Sequence, residues 1–153
     1  MPKFTEALNE MLVSVYNKIL RVEEAFLQRG IGAGLSIREM HMAEYVGKAG
    51  AEGRTLSEIA DFLGVARPSV TVSARKLEQK GFFTKTGSSQ DGRVVRVTLT
   101  REGRRVYMHH MRFHSLMVRE LEDGFSEDER KVLIRAIEKL DGFFERSIGA
   151  AGR

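Results

Sequence analysis

Two groups of side chains in this 153-residue sequence have the types and spacing to do chemistry. The first runs from 67 to 76, where Arg67, Ser69, Thr71, Arg75 and Lys76 are interleaved with the apolar Val70 and Ala74. On one face of a helix, guanidinium, hydroxyl and ammonium groups are the partners that phosphate oxygens and major-groove base edges take. The second group is the histidines, His41 in one place and His109, His110 and His114 in another. His110 and His114 are four residues apart, so on a helix they share a face and can chelate a divalent ion. His41 with Glu23 or Glu24 would complete a nitrogen- and oxygen-rich set suited to zinc or a similar metal. His109 points away from that face and is expected in solvent. A half-buried imidazole satisfied by a carboxylate accounts for the same residues without an ion.

The elements that must position the first group are legible from local signals. Thr55 and Glu58 form a capping-box pattern, Leu56, Ile59, Ala60 and Leu63 recur at helical spacing, and Gly64 offers a stop. After the short Val65-Ala66 turn, Pro68 suits a first helical turn, and Val70, Ala74 and Leu77 give one apolar stripe that ends at Gly81. Phe82 to Thr86 and Val94 to Leu99 then read as strands around the turn signal GSSQDGR. Asp91 and Arg93 stand where the second strand begins. From there the arginine can reach a minor groove or a phosphate while the aspartate orients it, although a surface ion pair at a solvated turn has the same signature.

Charge is distributed unevenly over this frame. Residues 54–105 hold 11 Lys+Arg against 5 Asp+Glu, a net +6, and the remainder holds 14 against 16, a net −2, within a total of +4. The cationic excess falls on the helix-turn-helix segment, as a nucleic-acid surface requires. A solvated charged face, or a winged helix used as a protein-binding module, does not predict that placement. The chain contains no cysteine, which excludes disulfides, thiolate metal sites and a cysteine nucleophile. HMRFH lacks the glutamate of an HExxH zinc-protease motif and no nucleophile elbow is present, so a metalloenzyme built on His41, His110 and His114 has little motif support and no enzyme activity is expected. No apolar run approaches the roughly 20 residues of a membrane span. MPKFTEALNEML carries acidic residues where a signal peptide is apolar, and the expected location is the cytoplasm.

Outside the winged segment the pattern is helical. Phe4, Leu8, Met11, Leu12, Val15, Ile19, Val22 and Phe26 mark one long helix over 4–28, closed by Gly30, Gly32 and Gly34. Ser36 and Glu39 cap a second helix through Val46, and GKAGAEG leads into the winged unit. Thr100 opens a helix to about Glu122, and Ser126 with Glu129 caps a last one to about Phe144. This is more amphipathic surface than a small winged core covers. Folding back within one chain and burial in a two-fold dimer both satisfy it.

LSEIADFLGV, SVTVSARKLEQKG and DGRVVRVTLTREG, with Asp91-x-Arg93 followed by Leu99-Thr100 and Gly103, resemble the MarR family of dimeric winged-helix transcriptional regulators, from about the first helix to the last. IREMHMAEYVG and RVYMHHMRFHSLMV are similar to the branch that includes repressors of bacterial fatty-acid synthesis. The resemblance implies a mainly α fold with a small β-hairpin wing, in which a winged helix-turn-helix lobe over 35–103 is flanked by dimerisation helices at 1–34 and 104–153. It implies a homodimeric repressor of a palindromic double-stranded DNA operator, with Arg67, Ser69, Thr71, Arg75 and Lys76 in the major groove and Arg93, oriented by Asp91, in the minor groove or on its phosphates. It also implies modulation by a small-molecule, acyl or metal effector. Zinc-responsive members are similar in using a first-helix glutamate with histidines placed like these.

Overall fold

The computed structural model describes residues 2–29, 32, 34–87 and 95–151. Among these described residues six helices and three strands follow in the order α1 (Pro2–Arg29), α2 (Ile37–Lys48), β1 (Arg54–Thr55), α3 (Leu56–Leu63), α4 (Arg67–Gln79), β2 (Phe83–Gly87), β3 (Val95–Leu99), α5 (Arg101–Asp123) and α6 (Glu127–Ala151). They form two compact units, one reaching to Met111 and one from Arg112 onward.

The first unit contains the winged lobe. Ser36 and Thr55 each close a full capping box, on Glu39 and Glu58, so the orphan amides at both helix starts are satisfied by the residues that the sequence offers. α3 stops at Gly64, which takes the left-handed conformation, φ 62°, that a side chain would resist. Val65 N–H then bonds back to the Ala60 carbonyl at 3.1 Å, and Pro68 falls in the first turn of α4. The core joins Met40, Met42, Ala43 and Val46 of α2 to Ile59, Val70, Ala74 and Leu77 of the helix-turn-helix and to Phe83, Val97 and Leu99 of the sheet.

The sheet is antiparallel in the order β1-β3-β2, with Phe83 opposite Leu99 and Gly87 opposite Val95. Its third strand, β1, is absent from the sequence reading. Arg54 and Thr55 pair with Val97 and Arg96, and two residues are too few for an alternating pattern to mark. The approach is close at Gly53, φ 63°, where a Cβ would stand 2.3 Å from the Val97 carbonyl oxygen.

The first part of α5 belongs to this unit as well. Val106 is in the core, and the Thr100 hydroxyl caps the helix start by accepting from Gly103 N–H at 3.0 Å while it donates to the Gly81 carbonyl at 2.6 Å. The first compact unit therefore takes in the start of α5, up to Met111. In the second unit α6 starts at its Ser126–Glu129 cap and runs to Ala151 rather than stopping near Phe144. Ile148 continues the stripe one turn beyond Phe144, and ERSIGAA holds no proline to end it.

Candidate functional site

The inner side of α4 is fixed by burial: Val70, Ala74 and Leu77 are all in the core. Helical phase then turns Arg67, Ser69, Thr71 and Arg75 outward, and each is exposed. The Thr71 hydroxyl donates to the Arg67 carbonyl at 3.1 Å, which leaves its oxygen free to accept. The guanidinium groups of Arg67 and Arg75 have no hydrogen-bond or ion-pair partner among the described residues, so neither is held back by the protein. Val72, 69 % exposed, shares this outer surface. Sequence reasoning missed it because an apolar residue off the Val70-Ala74-Leu77 stripe is a weak signal.

Lys76 differs from the other expected readers. Its ammonium lies 3.3 Å from Glu39 Oε1, and Lys80, one turn on, lies 3.3 Å from Glu39 Oε2. Burial pushes the Glu39 carboxyl up, but the Ser36 amide and the two ammonium groups together outweigh it and hold the carboxyl below its ordinary range. The wing is anchored from α4 by a 2.6 Å pair between Lys85 and Glu78. Asp91 and Arg93 lie outside the described residues.

The second group of sequence candidates converges within the first unit. Glu23 of α1, 3 % exposed, stands between two imidazoles: its Oε2 is 3.7 Å from His41 Nε2 and its Oε1 is 3.6 Å from His110 Nε2. His110 is itself 2 % exposed, and its Nδ1 lies 3.4 Å from Glu44 Oε2. That imidazole, followed in effect by Lys48, holds the Glu44 carboxyl down at about 2 against the upward push of burial. The structure brings Glu23, not Glu24, to the histidines. Glu24 is exposed and lines a cleft with Gln28, Arg38 and Lys76. His114 is one turn beyond His110 on α5, in the second unit. His109 departs from expectation: it is half-buried, stacked on Phe26 with ring centroids 4.3 Å apart.

One feature of the donor set favours an ion. Glu23 presents a different carboxylate oxygen to each imidazole, at 3.6 and 3.7 Å, and one ligand atom from each of Glu23, His41 and His110 lies within 4.8 Å of the others. A ligating histidine commonly gives its other ring nitrogen to a carboxylate, the place Glu44 takes beside His110. A protonated histidine between two carboxylates fits the same distances.

A helix with a buried stripe and a cationic, hydroxyl-bearing outer face, behind a capped partner helix and ahead of a hairpin, has counterparts among known proteins. The MarR family pattern matches residues 51–95. FabT from Streptococcus pneumoniae, solved in complex with DNA, is 38 % identical, with 92 % of this chain and 97 % of that one covered at a TM-score of 0.85. The chain belongs to the MarR family. Two more distant structures share the fold: the MepR–DNA complex from S. aureus, at 19 % identity, 90 % and 97 % coverage and a TM-score of 0.71, and a MarR protein from Peptoclostridium difficile, at 17 %, 92 % and 89 %, and 0.72. In this MarR-family chain the outward face of α4 is therefore the candidate nucleic-acid interface, and the Glu23–His41–His110 centre lies apart from it on α1, α2 and α5.

Proposed function

We propose that this chain is an effector-modulated transcriptional repressor, a homodimer that recognises a palindromic double-stranded DNA operator. The observation that carries this reading is the face of α4 on which Arg67, Ser69, Thr71, Val72 and Arg75 stand exposed while the opposite face is locked in the core. A rigid helix whose outer surface is made of donors and one apolar contact suits the major groove. FabT and MepR were each solved with DNA, which supports the same partner here. Arg93, oriented by Asp91, is assigned to the minor groove or its phosphates.

Self-association is supported by apolar side chains left exposed along α1, among them Phe4, Leu8 and Met11, and along α6, among them Val132, Ile137 and Phe144. Two-fold pairing covers such rows and sets two reading helices against two half-sites. The effector acts by binding the DNA-competent and DNA-incompetent arrangements unequally. Resemblance to the branch of fatty-acid-synthesis repressors favours an effector with an acyl chain.

The test is a footprint of the purified protein on genomic DNA, followed by titration of the protected duplex at several salt concentrations. We expect a palindromic site, two protomers per site, and log affinity falling linearly with log salt, by about 0.9 for each phosphate neutralised. Affinity indifferent to salt, or a protein that remains monomeric at micromolar concentration, would overturn the reading.

A second reading attaches to Glu23, His41 and His110, whose ligand atoms lie within 4.8 Å of one another. These three residues would hold a divalent metal such as zinc. The ion would supply a fixed link between three helices, and its occupancy would alter DNA affinity. Zinc titration and metal content of the wild type are to be compared with those of a His110→Ala, His114→Ala double variant, with operator binding measured with and without chelator. The expected result is zinc bound by the wild type only and a chelator-dependent affinity. Equal metal content in the two proteins would leave the centre as a buried ion-pair cluster.

A further inference from the structure

Three capping glutamates do the same local work in this chain, and one of them does more. Glu58 and Glu129 each serve the N-terminus of a helix, and Glu58 leaves its side chain 40 % exposed. Glu39 makes the same box with Ser36, but its side chain is 7 % exposed and both of its oxygens are engaged beyond the cap. Oε2 accepts the Ser36 amide at 2.8 Å and the Lys80 ammonium at 3.3 Å, and Oε1 faces the Lys76 ammonium at 3.3 Å. Lys80 is tied down again by donating to the Gly34 carbonyl at 2.6 Å. A helix cap needs one acceptor oxygen. The rest of this carboxylate is spent on two cations from the C-terminal end of the reading helix.

Those two lysines are placed where they would otherwise serve DNA non-specifically. Lys76 is in the last turn of α4 and Lys80, four residues on, is its C-cap, both beyond Arg75, and an ammonium is a point charge that takes any phosphate oxygen regardless of sequence. Arg67 and Arg75 on the same helix are unrestrained by comparison. We propose that Glu39 is a specificity-positioning residue: by holding Lys76 and Lys80 against the start of α2 it withholds two phosphate-binding charges from the reading helix and leaves discrimination to the residues that meet base edges. This rests on the DNA-binding reading of α4. It reverses the sequence assignment of Lys76 to the major groove, and it makes a buried carboxylate a determinant of how DNA is read without touching it.

The experiment uses Glu39→Gln in the full-length protein. Glutamine at this position still accepts the Ser36 amide, so the cap survives while the charge that holds both lysines is gone. Affinities are measured over a salt series for the operator and for a scrambled duplex of the same length and composition. We expect scrambled-duplex affinity to rise about 10-fold at low salt, its salt slope to steepen by about 1 to 2, and the operator-to-scrambled ratio to fall, because each newly neutralised phosphate adds about 0.9 to the slope. Adding Lys80→Gln to Glu39→Gln should take back about one unit of slope. A purely structural glutamate would lower the melting temperature and leave slope and ratio alone. Ser36→Ala, which damages the cap but keeps the charge, reproduces that structural outcome for comparison.

A folded Glu39→Gln protein with unchanged slope and unchanged ratio would overturn the proposal. Lys80→Gln in the otherwise native protein gives an independent check: a slope that falls by about 0.9 means that Lys80 already meets phosphate past Glu39, which also overturns it. Absence of any duplex binding by the wild type is a different failure, since it removes the DNA-binding reading itself and this inference with it.

Discussion

Replacing Gly103 by alanine is expected to destabilise the protein by about 3 kcal/mol, at the upper end of what overpacking usually costs. The sign is the informative part, because glycine to alanine inside a helix ordinarily gains about 1 kcal/mol. A Cβ at Gly103 would stand 2.1 Å from the Phe82 carbonyl oxygen, and that obstacle is backbone. Nor can Phe82 retreat cheaply: its carbonyl accepts Thr100 N–H at 3.0 Å and the Thr100 hydroxyl at 3.2 Å, and the adjoining Phe83 is in the core. Small domains are stable by only about 5–15 kcal/mol, so the variant should show a clearly lower urea midpoint at an unchanged m-value. A midpoint equal to or above that of the wild type would mean that α5 does not pack on the wing as described.

Arg75→Ala should weaken the operator complex by about 1–3 kcal/mol per half-site, a loss of roughly 5- to 150-fold that a two-fold dimer incurs twice. The guanidinium is exposed and has no partner among the described residues, so its removal should leave folding stability within about 0.5 kcal/mol. Affinity for a scrambled duplex should fall much less than affinity for the operator, which separates a base contact from a phosphate contact. Equal losses on both duplexes would reassign Arg75 to the backbone. No loss on either would move the interface off this face of α4.

The two variants address opposite faces of one construction. Gly103 reports whether α5, the wing and α4 are packed into one unit, and Arg75 reports what that packing presents to solvent. A functional defect in Arg75→Ala without a stability defect, beside the reverse in Gly103→Ala, would locate recognition on a surface that the core only aims.

Much of this was written in local sequence. Thr55 with Glu58 and Ser36 with Glu39 start helices through bonds spanning three residues, Gly64 stops α3 with its own backbone, and the Val70-Ala74-Leu77 stripe fixes which side of α4 faces out. The alternation of Val95, Val97 and Leu99 against Arg96 and Thr98 gives β3 in the same way. Signals of this kind depend on neighbours within one turn or one pleat, so they need no knowledge of the fold. The excess of cationic charge over 54–105 is likewise a property of composition.

What the tertiary structure decided is partnership over distance. Adjacent carboxylates at Glu23 and Glu24 are equivalent to a sequence pattern, and only the packing of α1 turns one inward to His41 and His110 and the other outward. His109 finds Phe26 instead of solvent for the same reason. β1 exists because β3 supplies its hydrogen bonds, and two residues are too few to show a strand pattern of their own. Nothing in the local sequence pairs Lys76 with Glu39, 37 positions earlier, and only the fold brings that carboxylate 3.3 Å from its ammonium. Periodicity determines which face of an element a residue occupies, whereas the charge that residue finally meets is set by which other element packs there. The outward face of α4 was therefore legible in the sequence, and the pairing of its Lys76 with Glu39 was not.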